Sequence, residues 1–96
     1  MRTIIDDQGL AEICKANDIV FLGVFGSYAR GEETPESDVD LLVRFAKGKS
    51  LLQLVRIERE LSERIGRRVD LMTEPSLSTY LRKSILEEVQ TLYAQT

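Results

Sequence analysis

Three short apolar runs constrain this chain more than anything else in it: IVFLGVF at residues 19–25, VDLLVRF at 39–45 and RRVDLMT at 67–73. The first is continuous and rich in β-branched and aromatic residues, so it reads as a strand buried on both faces. The second has the same character. Only residues 26–38 join these two strands, and that link begins with Gly26 and carries Pro35. A parallel crossover usually carries a full α-helix across the sheet. The link is short for that purpose, so the first two strands are expected to be antiparallel. Within it, SYAR can form a short helix ended by Gly31, and EETPES is a loop.

Helical stripes fill most of the rest. Residues 8–16 place Leu10, Ile13 and Cys14 at helical spacing, with Asp6 or Asp7 as the N-cap and Asn17–Asp18 as the end. Residues 51–65 carry Leu51, Leu54, Ile57, Leu61 and Ile65 with charges opposite, between a Ser50 N-cap and a Gly66 C-cap. Residues 76–88 put Leu77, Leu81 and Ile85 on one face, after Pro75. The final VQTLYA fits the last turn of that helix or a short strand, and the apolar stretch LEEVQTLYA suits an interface. The order helix, strand, short helix, strand, helix, strand, helix predicts an α/β fold with one small mixed sheet flanked by helices. A chain of 96 residues suits a single domain, 1–96, with a thin core that a ligand or partner would help to stabilise.

Composition removes several functions. The chain has no histidine, which excludes Ser-His-Asp and Cys-His catalysis and His-based zinc sites. Acid–base or metal chemistry must therefore use carboxylates. A net charge of −3 argues against direct nucleic-acid binding by bulk electrostatics. No apolar run approaches the roughly 20 residues that span a bilayer. The acids in MRTIIDDQGLAE do not suit a signal peptide, so a cytoplasmic setting is expected. Cys14, the single cysteine, cannot form an internal disulfide and reads as a small core residue.

Asp38 and Asp40 open the second strand. Residues two apart on a strand share a face, so their carboxylates are neighbours. At about 5 Å they would repel by roughly 3 kcal/mol at an effective dielectric of 20. Unless solvated, such a pair holds a proton or a cation. Oxygen-only ligands select a hard ion, Mg²⁺ or Mn²⁺ in its place. Asp70 interrupts the third strand, where an isolated buried acid would be costly. If that strand lies beside the second, Asp70 joins the pair, and three carboxylates outline a two-metal phosphoryl-transfer site. Taken singly, each has a plainer reading: turn chemistry for Ser37–Asp38, and pairing with Arg67 or Arg68 for Asp70.

GSYARG supplies the complement. Gly26 permits close backbone approach, and the Ser27 hydroxyl with the N–H groups of the next turn can cradle a phosphate. Arg30 offers a further charge for phosphate, or alone is a solvated surface cation. Tyr28 either touches a nucleotide or packs.

In combination, GSYARGEETPESDVDLLV and the later RRVDLM resemble the signature of the minimal nucleotidyltransferases, within the DNA polymerase beta-like superfamily. The likeness runs from about residue 19 through the last helix. It implies that fold's core, with Asp38 and Asp40 binding the divalent metal that carries a nucleoside triphosphate. It implies that Asp70 completes the acceptor-side metal site and helps deprotonate the attacking hydroxyl, while Gly26 and Ser27 hold the triphosphate. The reaction expected is transfer of AMP from ATP with release of pyrophosphate. Such proteins typically accompany a helical HEPN-type toxin and act as its antitoxin, some attaching AMP to a toxin hydroxyl, often of tyrosine. A HEPN ribonuclease usually needs an Arg…His motif, so a chain without histidine is not the toxin half. Nothing obvious in the chain forms an acceptor pocket, and a partner supplying both acceptor and missing wall, in a hetero-oligomer, is expected. The rival readings are a catalytically silent module that neutralises its partner by occlusion, and a transferase acting on a small molecule.

Overall fold

Residues 26–38 turn the chain back on itself, so β1 (Ile19–Phe25) and β2 (Val39–Phe45) pair antiparallel. Ile19 stands opposite Phe45 at one end of the ladder and Phe25 opposite Asp40 at the other. This computed structural model describes residues 7–95. Ahead of β1 lies α1 (Asp7–Ala16), and inside the link lies α2 (Ser27–Arg30), which Gly31 ends in the left-handed conformation. The long helix α3 (Leu51–Ile65) returns the chain so that β3 (Val69–Thr73) runs parallel to β2. A short 3₁₀ turn at Glu74–Ser76 leads to α4 (Thr79–Glu88), and β4 (Gln90–Ala94) closes the order β3-β2-β1-β4 by pairing antiparallel with β1. The sheet is mixed, as the short first link requires.

Local chemistry explains the element ends. Ser50 caps α3 by accepting the Gln53 N–H, while the Gln53 side chain accepts the Ser50 N–H at 2.8 Å. Two otherwise unpaired donors are satisfied by this reciprocal pair. Gly66 ends the helix at φ 78°. The outer edge of β3 is then covered by α3 itself. Ser62 Oγ accepts the Val69 N–H at 3.1 Å, and Glu58 Oε2 accepts the Leu71 N–H at 2.9 Å.

The sheet buries both faces. One carries Leu22, Val24, Val39, Leu41, Val43 and Val69 against Leu10 and Cys14 of α1 and Ile57 and Leu61 of α3. Cys14 is fully buried, and burial pushes its thiol up to about 11, as suits an inert core residue. The other face carries a smaller cluster of Phe25 and Leu42 against Leu77 and Ile85. Asp38 and Asp40 alternate with Val39 and Leu41, so Asp40 stands on the Leu42 side.

Several expectations need correction. The third strand is shorter than residues 67–73, beginning at Val69. The helix expected over 76–88 begins only at Thr79, because the 3₁₀ turn and an extended Ser78 precede it. Leu77 is buried ahead of that helix rather than on it, and Leu81 is 56 % exposed. Leu51 is 77 % exposed, so the α3 stripe narrows to Ile57 and Leu61 with Leu54 and Ile65 half-buried. The final segment resolves to a strand, with Leu92 and Tyr93 packed on the core. Helix α1 starts at Asp7, which is therefore not its cap, and Asp6 lies outside the described residues.

Candidate functional site

Parallel pairing places Asp40 of β2 directly beside Asp70 of β3 in the ladder. Each is flanked by apolar residues that turn into the opposite face, so both carboxylates stand on the α4 side of the sheet. Asp40 is half-buried and Asp70 exposed. Burial first, then repulsion from Asp70 and Asp38, holds the Asp40 carboxyl above the usual range; Arg30 pulls it back and Glu88 adds to the rise. Asp38 stands just outside β2 with its Oδ2 4.0 Å from Arg68 Nε. Arg67 turns away, donating to the Pro35 carbonyl at 2.9 Å and lying over the Tyr28 ring.

The Gly26 turn abuts this carboxylate rim. Gly26 has φ 76° and ψ −151°, a combination essentially restricted to glycine. A Cβ there would also run into the Asp40 carboxylate. The glycine thus admits Asp40 as well as any bound group. Ser27 begins α2, half-buried, and among the described residues its hydroxyl takes part in no hydrogen bond. Tyr28 is 4 % exposed and belongs to the core, so of its two readings packing holds.

Arg30 is exposed, as a surface cation would be, but it is not unpaired. Its Nε bonds Glu32 at 3.0 Å, and its Nη1 bonds Glu88 Oε1 at 3.1 Å. Glu88 was not singled out by sequence reasoning. At the end of α4, it accepts the buried Gly26 N–H at 2.8 Å. Its only signal in sequence was an acid in the last turn of a helix, where the dipole disfavours negative charge.

The residues suit a hard divalent cation. The donors are all carboxylate oxygens, and the pressure on Asp40 from its neighbours is what a cation relieves. Among the described residues no three acids form a closed cage, and Asp38 lies 4.0 Å from Arg68. Mg²⁺ does not need one, because it retains several waters and takes one or two protein carboxylates. A separate cleft of about 590 Å³, lined by Arg44, Lys47, Lys49, Thr73, Glu74 and Arg82 among others, contains none of these acids.

The family model of the nucleotidyltransferase domain matches residues 8–92. Protein adenylyltransferase MntA of Thermococcus cleftensis is 47 % identical over 68 residues, covering 71 % of this chain and 69 % of that protein. A chain of a toxin–antitoxin crystal structure with AMP-PNP superposes with a TM-score of 0.79 at 21 % identity, covering 96 % of this chain and 76 % of its own. A chain from the Shewanella oneidensis complex of a tri-AMPylated HEPN toxin with an MNT antitoxin gives 0.68 at 20 % identity, covering 93 % and 70 %. At those identities the two structures speak to the fold alone. The family match takes in the Gly-Ser turn, the paired aspartates and the third strand together, and so the chain belongs to the nucleotidyltransferase domain family and is a nucleotidyltransferase.

Proposed function

We propose that this protein is a metal-dependent protein adenylyltransferase that moves AMP from ATP to a hydroxyl, a tyrosine by preference, of a HEPN-type toxin, and that it serves as the antitoxin of that pair in the cytoplasm. The observation that carries the reading is the in-register pair Asp40 and Asp70 set against the Gly26–Ser27 turn. It joins a carboxylate half to a phosphate half within one small unit. The 47 % identical relative named protein adenylyltransferase supports the acceptor class, and the partner is carried over, as part of this proposal, from toxin–antitoxin complexes whose chains share the fold.

Asp38 and Asp40 would hold the divalent cation, with Asp70 completing an acceptor-side position. When bound, that cation offsets the charge of the triphosphate and of the transition state. The rest falls to the chain itself. Ser27 donates its hydroxyl to the triphosphate, and Gly26 keeps the backbone close. Asp70, the more exposed acid, receives the proton of the acceptor hydroxyl. The hydroxyl oxygen bonds to the α-phosphorus, the bond from that phosphorus to the leaving pyrophosphate breaks, and pyrophosphate departs in line. Arg30 balances charge beside the phosphates through whatever donors its two carboxylate partners leave. The partner protein presents the acceptor and forms the wall that excludes water.

The test is to incubate the chain with labelled ATP, Mg²⁺ and the candidate toxin, then weigh the toxin. The expected result is a mass gain of one or more AMP units that disappears in Asp38→Asn and Asp40→Asn. Asp70→Asn should lower turnover by about 10²-fold or more, as for loss of a general base, with nucleotide binding little changed. Full neutralisation by the Asp38→Asn/Asp40→Asn double variant with no mass gain would establish occlusion instead.

A further inference from the structure

The mechanism above gives Glu88 no part, yet its contacts are specific. Its Oε2 accepts the Gly26 N–H at 2.8 Å, and its two oxygens accept Arg30 Nη1 at 3.1 and 3.3 Å. Gly26 lies 62 residues away in sequence and Arg30 58. Gly26 is buried, so without this carboxylate its N–H would lose water and gain no acceptor. The Gln90 side chain adds a second tie, donating to the Ala29 carbonyl at 3.0 Å. The end of α4 and the start of β4 therefore grip α2 at both ends. Among the described residues no other acceptor holds the Gly26 N–H, and the glycine there has no side chain to steady its conformation.

We propose that Glu88 is a positioning residue for this site: its carboxylate fixes the Gly26–Ser27 turn and the Arg30 guanidinium in the arrangement that receives the triphosphate. The inference rests on the adenylyl-transfer reading above. Glu88 does not reach the reacting atoms; it acts through the Gly26 backbone and through Arg30. Gly26 is packed on Asp40, so the same contact sets the phosphate half of the site against the carboxylate half.

Two variants of the full chain test this, Glu88→Ala and Glu88→Gln. Glutamine keeps an acceptor for the Gly26 N–H and removes the charge facing Arg30. The Gly26 amide should exchange slowly with solvent in the unmodified protein and in Glu88→Gln, and at least about 10-fold faster in Glu88→Ala. With the toxin present, KM for ATP should rise about 10-fold in Glu88→Ala and less in Glu88→Gln, with kcat at saturating ATP within about 3-fold of the unmodified protein. Unchanged exchange and unchanged KM would overturn the proposal. So would tighter ATP binding by Glu88→Ala, which would make the carboxylate a competitor for the phosphate position. A fall in melting temperature and kcat with KM unchanged would leave Glu88 a structural contact only, and also overturns it. If the unmodified protein transfers no AMP, the proposed function fails by itself. The exchange of the Gly26 amide then still decides whether Glu88 holds the turn.

Discussion

Asp40 carries the sharpest conflict in the molecule at the scale of one residue. Its carboxyl is held above the ordinary range, chiefly by burial and then by Asp70 and Asp38. An acid raised in the fold favours the protonated form there. Below the ordinary aspartate range, about 3.9, folded and unfolded chains are both protonated and the residue costs nothing. As pH rises through the folded range, ionisation works against the fold and stability falls. Asp40→Asn removes that cost. In EDTA, its melting temperature should exceed that of the unmodified protein at pH 7, and the gap should close as pH falls below the ordinary range. A melting series from pH 7 to pH 3 checks this; a variant less stable at pH 7 would contradict it. The Asp-x-Asp and Gly-Ser pairs were legible in sequence because their chemistry is local: two residues on one strand face, and a glycine at a turn. Glu88 was not, because an acid at the end of an amphipathic helix looks solvated until the fold brings Gly26 to it.

Among the elements, β3 bears Asp70 on a sheet edge that α3 covers. Glu58 accepts the Leu71 N–H and Ser62 the Val69 N–H, on either side of Asp70 in sequence. Glu58→Ala leaves the Leu71 donor without its acceptor, and the expected loss is about 1–2 kcal/mol in urea unfolding. The exposed Glu63→Ala should stay within about 0.5 kcal/mol. Because the loosened strand carries Asp70, Glu58→Ala should also lower AMP transfer, while Glu63→Ala should not. Equal effects of the two would mean that α3 does not secure this edge. Both ends of α3 could be read beforehand, since the Ser50–Gln53 box and Gly66 act within one turn. Its exposed first residue could not. A periodic stripe states which residues share a face, and whether anything stands opposite Leu51 depends on the reach of the sheet. The stripe through Leu77 and Leu81 failed for a different reason. The 3₁₀ turn and extended Ser78 move Leu77 off the helix, so the assumed phase does not run through it.

For the whole molecule, sequence distance decided what could be foreseen. The antiparallel β1–β2 pair followed from the short link, whereas the β4 edge position depends on pairing with a strand some 70 residues earlier. That pairing carries the end of α4 to the Gly26 turn, so all parts of the candidate site meet at one end of the sheet. An assembly of this kind gathers like charges and should be less stable empty than filled. Mg²⁺ with ATP at about 100 times its Kd should add about 2.7 kcal/mol, on the order of 10–20 °C for a chain of this size. ATP in EDTA should give a smaller shift, since the carboxylates then face the triphosphate without a cation between them. Asp40→Asn should begin from the higher melting temperature and gain little from Mg²⁺ and ATP. The order of the two proteins therefore inverts: the variant melts later when both are empty, and the unmodified protein melts later when both are offered the nucleotide. Equal shifts in the two would separate Asp40 from nucleotide binding altogether, because a ligand that stabilises both alike makes no use of the carboxylate that differs between them.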